Sequence, residues 1–187
     1  LKIDQNLFLI IPVDVDTGTL YVHAAAPGRE VFERYFRVVA RAFGEIQEMT
    51  GSMTGPRVAM LTIRACAAEM GPGVVKEVED GLIGEIKRLA NVAVPDKGRW
   101  DQVPLEEAVA RGLIDETDAS EVENALAFFM LGCSMYPKAL KRGALTAVMQ
   151  TWGARIESSD FTAFVDSLPT STAPASSGVK VVSSARS

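Results

Sequence analysis

The first regular pattern along the chain is a run without a polar phase. Leu7, Phe8, Leu9, Ile10 and Ile11 are apolar at consecutive positions, as expected of a strand buried on both faces. Asp14-Val15-Asp16-Thr17-Gly18 is turn chemistry, and Thr19-Leu20-Tyr21-Val22-His23 resumes the extended pattern. Together they predict an N-terminal β-hairpin, with Gly18 taking the positive φ of a tight turn. Beyond Pro27 the period changes. Phe32, Tyr35 with Phe36, Val39, Phe43 and Ile46 recur at helical spacing and predict a helix over 28–48, with Pro27 in its first turn. Glu30–Arg34 and Glu33–Arg37 lie four apart, in the favourable order, on its polar side.

Met49 to Gly55 reads as a connector, and Pro56 opens a second helix through Met70 with Val58, Leu61, Ile63 and Ala65 inward. Gly71-Pro72-Gly73 breaks the chain. A third helix over 75–91 then carries Val78, Leu82, Ile83, Ile86 and Leu89 on one side. Gly81 and Gly84 each cost it about 1 kcal/mol relative to Ala, which a close helix contact would explain. Residues 92–104 read as a connector with a short extended piece and Trp100. Helices follow over 104–112, over 117–136 (capped by Asp115 or Thr117, with Val122, Leu126, Phe129, Met130 and Cys133 inward) and over 138–154 (Leu140, Leu145, Val148, Met149, Trp152). A short helix at Phe161–Leu168 ends the body.

The expected fold is therefore mainly α: a multi-helix globular domain over 27–168, an N-terminal β-hairpin over 1–26 packed on it, and a flexible C-terminal tail over 169–187. That tail is rich in Ser, Thr, Ala and Pro, which bury too little apolar surface to offset the entropy of ordering them. Within it, Val179-Lys180-Val181-Val182 is the stretch able to pair as a short strand.

Composition narrows the function. Hydrophobic residues make up 48% of the 187, enough for a real core. The net charge of −5 provides no drive toward nucleic acid. The longest apolar run, Ala125 to Met135, is too short to span a bilayer. The run Leu7–Val13 lacks a basic leader and contains Pro12, so it is read as a strand and not as a signal peptide. Cys66 and Cys133 both lie in apolar helical contexts, as reduced core thiols or as a disulfide pair.

No set of residues forms a recognisable catalytic, cofactor or metal motif. His23 is the sole histidine, which excludes a multi-histidine metal site; a structural or surface role is expected of it. Gly132-Cys133-Ser134 lies inside a helix pattern and not on a nucleophile elbow. Asp14 to Gly18 lacks the third acidic position and the closing glutamate of a calcium loop, and Gly71 to Lys76 fits no phosphate-loop spacing. Glu77, Glu79, Asp80 and Glu85 read as a solvated face. Two groups remain as partner-binding candidates. Trp100, Trp152, Phe161 and Phe164 lie near loops and the tail, as core or as a groove for an apolar helix of another protein. Lys138, Lys141 and Arg142 form the densest basic cluster, as a charged face or a contact for an acidic partner or a phosphate.

Three stretches carry a family resemblance: Val122-Glu123-Asn124-Ala125-Leu126-Ala127-Phe128-Phe129, Ala147-Val148-Met149-Gln150-Thr151-Trp152-Gly153 and Ser167-Leu168-Pro169-Thr170-Ser171-Thr172-Ala173. With the layout of helical body and Ser/Thr/Ala/Pro-rich tail, the chain resembles the tail assembly chaperones of long-tailed, lambda-like bacteriophages. The resemblance implies a non-enzymatic, cofactor-free protein of the host bacterial cytoplasm, acting through protein–protein contacts, with a homo-oligomer among the assemblies it allows. Its implied partners are the tape-measure protein, which such chaperones coat and keep soluble, and the tail-tube protein, which they recruit. Members are commonly made in a short form and a frameshifted longer form. A structural virion component, such as a connector or minor tail protein, is the alternative; a small enzyme using Cys133 or His23 is a third reading.

Overall fold

A computed structural model describes residues 7–49 and 53–169. The hairpin is present as strands β1 (Phe8–Val15) and β2 (Gly18–Ala25), closed by a two-residue turn with Gly18 at φ +133°. Thr19 Oγ1 donates to Asp14 Oδ1 at 2.7 Å across the turn. Side chains alternate between the two faces of the sheet. Leu9, Ile11, Val13, Leu20, Val22 and Ala24 enter the main core, whereas Ile10 enters a second core on the opposite face. The unphased apolar run at 7–11 is thus a strand covered on both sides.

The hairpin is the centre of a larger sheet. Strands β3 (Ala90–Asp96), β4 (Arg99–Pro104) and β5 (Arg155–Glu157) complete an antiparallel sheet of order β4-β3-β2-β1-β5. This overturns the expectation of a mainly α domain with only an N-terminal hairpin: the protein is an α+β fold built on a five-stranded sheet. The segment 92–104 is not a connector. Pro95 and Pro104 disguise it, since proline argues against strand, and its turn is Lys97-Gly98 with both residues at positive φ (+45° and +88°). Such a turn suits a hairpin, but lysine is a poor marker of it. The helix expected over 138–154 stops at Gln150; Gly153 turns the chain at φ +71°, and the three residues of β5 pair with Phe8–Ile10.

The helices are α1 (Arg29–Met49), kinked at Tyr35, and α2 (Gly55–Met70). Next come α3 (Pro72–Glu77), a π-helical turn (Val78–Ile83) and α4 (Gly84–Arg88). Then follow α5 (Leu105–Ala110), α6 (Glu116–Met135), α7 (Lys138–Gln150) and α8 (Phe161–Ser167). Helix α6 is central, packing against α2, α1 and α7, and every residue from Asn124 to Gly132 is buried. A helix apolar on all sides has to lie inside the core. Asp115 caps it, its carboxylate accepting the Asp118 N–H at 2.8 Å.

The inward face of α2 is Ala59, Met60, Ile63, Cys66 and Ala67, while Leu61 and Ala65 are exposed. Met60 and Ile63 fill that face beside the small Ala59, Cys66 and Ala67, and Leu61 is left on the outward side. Leu140 and Phe36 likewise face solvent. The close contact expected at the third-helix glycines is at Gly81, where a Cβ would fall 2.7 Å from Tyr35 Cζ; at Gly84 the nearest atom would be 3.6 Å away. Among the described residues no helix is long and apolar enough to cross a membrane. The tail expected over 169–187 lies outside the described residues except for Pro169.

Candidate functional site

Three of the four candidate aromatics meet on the outer face of the sheet. Phe164 of α8 is buried there with Ile10 and Ala93. It lies edge-on to Tyr21 at 5.7 Å between ring centroids, and Tyr21 meets Trp100 at 5.8 Å in the same manner. His23 is enclosed by Phe8 at 4.8 Å, Phe161 at 5.6 Å and Phe164 at 5.7 Å. Its Nε2–H donates to the Ser159 carbonyl at 2.9 Å, and burial lowers its pKa below the usual 6.5. The Asp160 carboxylate caps α8 through the Ala163 N–H at 2.9 Å. Trp100 Nε1–H donates to the Pro169 carbonyl at 3.1 Å. Trp100, Phe161 and Phe164 therefore clasp the C-terminal helix to the sheet, and the chain's own residues occupy the apolar surface they offer. Offset and edge-on ring pairs of this kind add about 0.5–1.5 kcal/mol beyond their burial.

Trp152 stands apart from that cluster, in the turn after α7. Its Nε1–H donates to the Met53 carbonyl at 3.0 Å, and the Arg57 guanidinium lies over its ring at 5.4 Å. Around it runs a solvent-open groove of about 640 Å³. One wall is β1 from Ile11 to Asp14, another the start of α2 with Pro56, Arg57 and Leu61, and the third the first turns of α6. Leu61 is 60% exposed, Met53 54% and Trp152 37%. Asn124 stiffens the floor: its Oδ1 accepts the Met60 N–H at 3.1 Å and its Nδ2 donates to the Ser120 carbonyl at 2.9 Å, joining α2 to α6.

The groove is acidic along one side. Asp14, Asp118 and Glu121 line it, with Arg57 opposite. Partial burial, together with the neighbouring carboxylates Asp115, Glu121 and Asp14, pushes the Asp118 carboxyl above its ordinary range. Among the described residues neither Asp118 nor Glu121 forms an ion pair.

The basic cluster lies elsewhere, on the first turns of α7. Lys138 and Arg142 are exposed, and Arg142 Nη1–H donates to Ser158 Oγ at 3.2 Å. Lys141 is half-buried in a separate hollow with Phe8, Phe32 and Cys133. The two cysteines are free thiols. Burial, with the Glu45 carboxylate as acceptor, pushes Cys66 up to about 11; burial alone pushes Cys133 up to about 12. Neither forms thiolate at neutral pH, so neither is poised as a nucleophile. Cys133 packs on the inner core, whereas the His23 ring lies on the outer face, so the sheet separates the two. Of the carboxylates expected on a solvated face, Glu79 and Glu85 pair with Arg64 and Arg88. Among the described residues no group of three His, Cys, Asp or Glu side chains is placed to hold a metal.

The sequence reading did not anticipate the groove residues Leu61, Arg57, Pro12 and Asp118. Leu61 was expected inward, and Pro12 and Asp118 come from distant segments that no local pattern links. Comparison with protein-family models, curated proteins and solved structures gives no match.

Proposed function

We propose that this protein works by holding another protein, as a non-enzymatic assembly chaperone of a phage tail. In this reading it binds the tape-measure protein in the host cytoplasm, keeps it soluble and helps recruit tail-tube subunits. The observation that carries the reading is the Trp152 groove. Leu61 and Trp152 present apolar surface to water in it, above a floor that Asn124 ties together. Each Å² covered by a partner contributes about 25 cal/mol, and contiguous exposed apolar surface marks interaction sites. A long amphipathic helical protein has the complementary need, because its apolar stripe aggregates unless covered.

Two of the three stretches that carry the phage resemblance meet at this groove. Val122, Asn124 and Ala125 line it from one stretch, and Trp152 from the other. The pairing of His23 with Ser159 and the raised thiols support a structural role for the groups an enzyme would need. Co-expression with the tape-measure protein tests the proposal: that protein should become soluble and co-purify. Equal solubility with and without this chain, and no complex, would contradict it.

A further inference from the structure

We propose that the Trp152 groove seats an amphipathic helix of the partner whose apolar face is bordered by lysine or arginine. The inference rests on the partner-binding reading above and adds the place, shape and charge of what is bound.

Asp14, Asp118 and Glu121 against Arg57 leave two net negative charges on the groove walls. Asp118 and Glu121 pair with no cation of the described chain, and they stand beside Asp115. Three carboxylates repel one another, and a cation brought among them relieves that repulsion. Arg57 is already engaged over the Trp152 ring and lies on the α2 side, away from the acidic row on α6. The apolar strip of Pro56, Leu61 and Trp152 thus runs between a basic and an acidic edge, which sets the orientation of whatever lies on it.

The strand β1 sets the shape of what can lie here. It pairs with β5 only from Phe8 to Ile10, so from Ile11 onward its other edge borders the groove. An open edge invites a partner strand. The two-residue turn, however, closes Val15 on Gly18, so the odd-numbered residues of β1 exchange hydrogen bonds with β2. The even-numbered residues point their backbone toward the groove. One of them is Pro12, which has no N–H to donate. Strand addition loses one of its two donors there, Asp14 keeping the other, whereas a helix satisfies its own backbone and needs only the apolar strip and the charges.

The test uses the full chain with Trp100→Phe, so that emission reports Trp152, titrated with two amphipathic peptides of roughly five helical turns. Both carry leucine on one face; the polar face is lysine in one and glutamate in the other. The lysine peptide should bind at least about tenfold tighter at low salt, and the difference should shrink as salt screens it. Asp118→Asn with Glu121→Gln should bring the ratio close to one. The control pair Glu30→Gln with Glu48→Gln should leave it unchanged, and Leu61→Asn should weaken both peptides. Equal binding of the two peptides, no binding of either, or a ratio that survives the groove substitutions overturns the inference. Co-expression separates the two layers. A tape-measure complex indifferent to the groove substitutions sinks the groove and leaves partner binding standing; absence of any complex sinks the reading beneath it.

Discussion

Gly55→Ala is a small change in the most crowded place of the fold. Gly55 is buried at the first turn of α2, against α6 and α1. A methyl group there would overlap Cδ2 and Cε2 of Phe128 and sit 3.2 Å from Ile46 Cγ2. Phe128 and Ile46 are themselves almost wholly buried, so neither can swing into solvent. Overpacking of this sort costs about 1–3 kcal/mol. Alanine returns part of that through helix propensity, at most about 1 kcal/mol and less at a helix end. The balance is a loss of about 1–2 kcal/mol. At about 2–4 °C per kcal/mol for a domain of this size, Tm should fall by roughly 2–8 °C. Gly44→Ala in α1 is the matched control: a Cβ there meets nothing within 4 Å. It should stabilise by about 0.5–1 kcal/mol. Thermal unfolding followed by circular dichroism reads both. If Gly55→Ala is as stable as the parent, or both variants shift the same way, the packing of α2 on α6 described above is wrong.

Phe164→Ala should cost up to about 3–5 kcal/mol, capped by the docking energy of α8, since a seven-residue helix does not persist alone; loss of exchange protection confined to α8 would be its signature. His23 predicts acid sensitivity. Its folded pKa lies below 6.5, so the unfolded chain binds the proton first and stability falls as pH drops below that value. Denaturant midpoints taken across pH 5–8 should show a slope that His23→Gln flattens; a parent profile with no slope would refute this. Cys66 and Cys133 should resist iodoacetamide at neutral pH until the chain unfolds, because their thiols are held near 11 and 12; labelling of the native protein at free-thiol rates would contradict it. Asp115→Ala removes the α6 cap and should cost about 1 kcal/mol, with Asp115→Asn or Ser recovering most of it.

Elements with a strong local signature were legible. The two-sided run at 7–11 and Gly18 announce the hairpin, and the capped, apolar span 116–135 announces the central helix. What escaped was set by tertiary context. Strands β3 and β4 hide behind Pro95, Pro104 and an uncommon Lys97-Gly98 turn, and β5 is three residues long, too short for any period. Leu61 faces the groove because Met60 and Ile63, with Ala59, Cys66 and Ala67, already fill the inward face of α2, and the apolar residues of this helix are spread too widely for spacing alone to choose among them. The four aromatics look alike in sequence. Hydrogen bonds to Pro169 and Met53 divide them between a clasp at Trp100 and an open groove at Trp152, and no sequence pattern foretells that division.

The central claim is that the open face at Trp152 is where a partner is held. Its most direct test is co-purification of the tape-measure protein with the parent, with Trp152→Ala and with Leu61→Asn, each variant first shown to unfold at the parent's temperature within about 2–4 °C. Both substitutions should strip most of the partner, while the Lys138, Lys141 and Arg142 cluster can be neutralised without loss. A complex that survives both groove substitutions, or that depends on the α7 lysines instead, would contradict it.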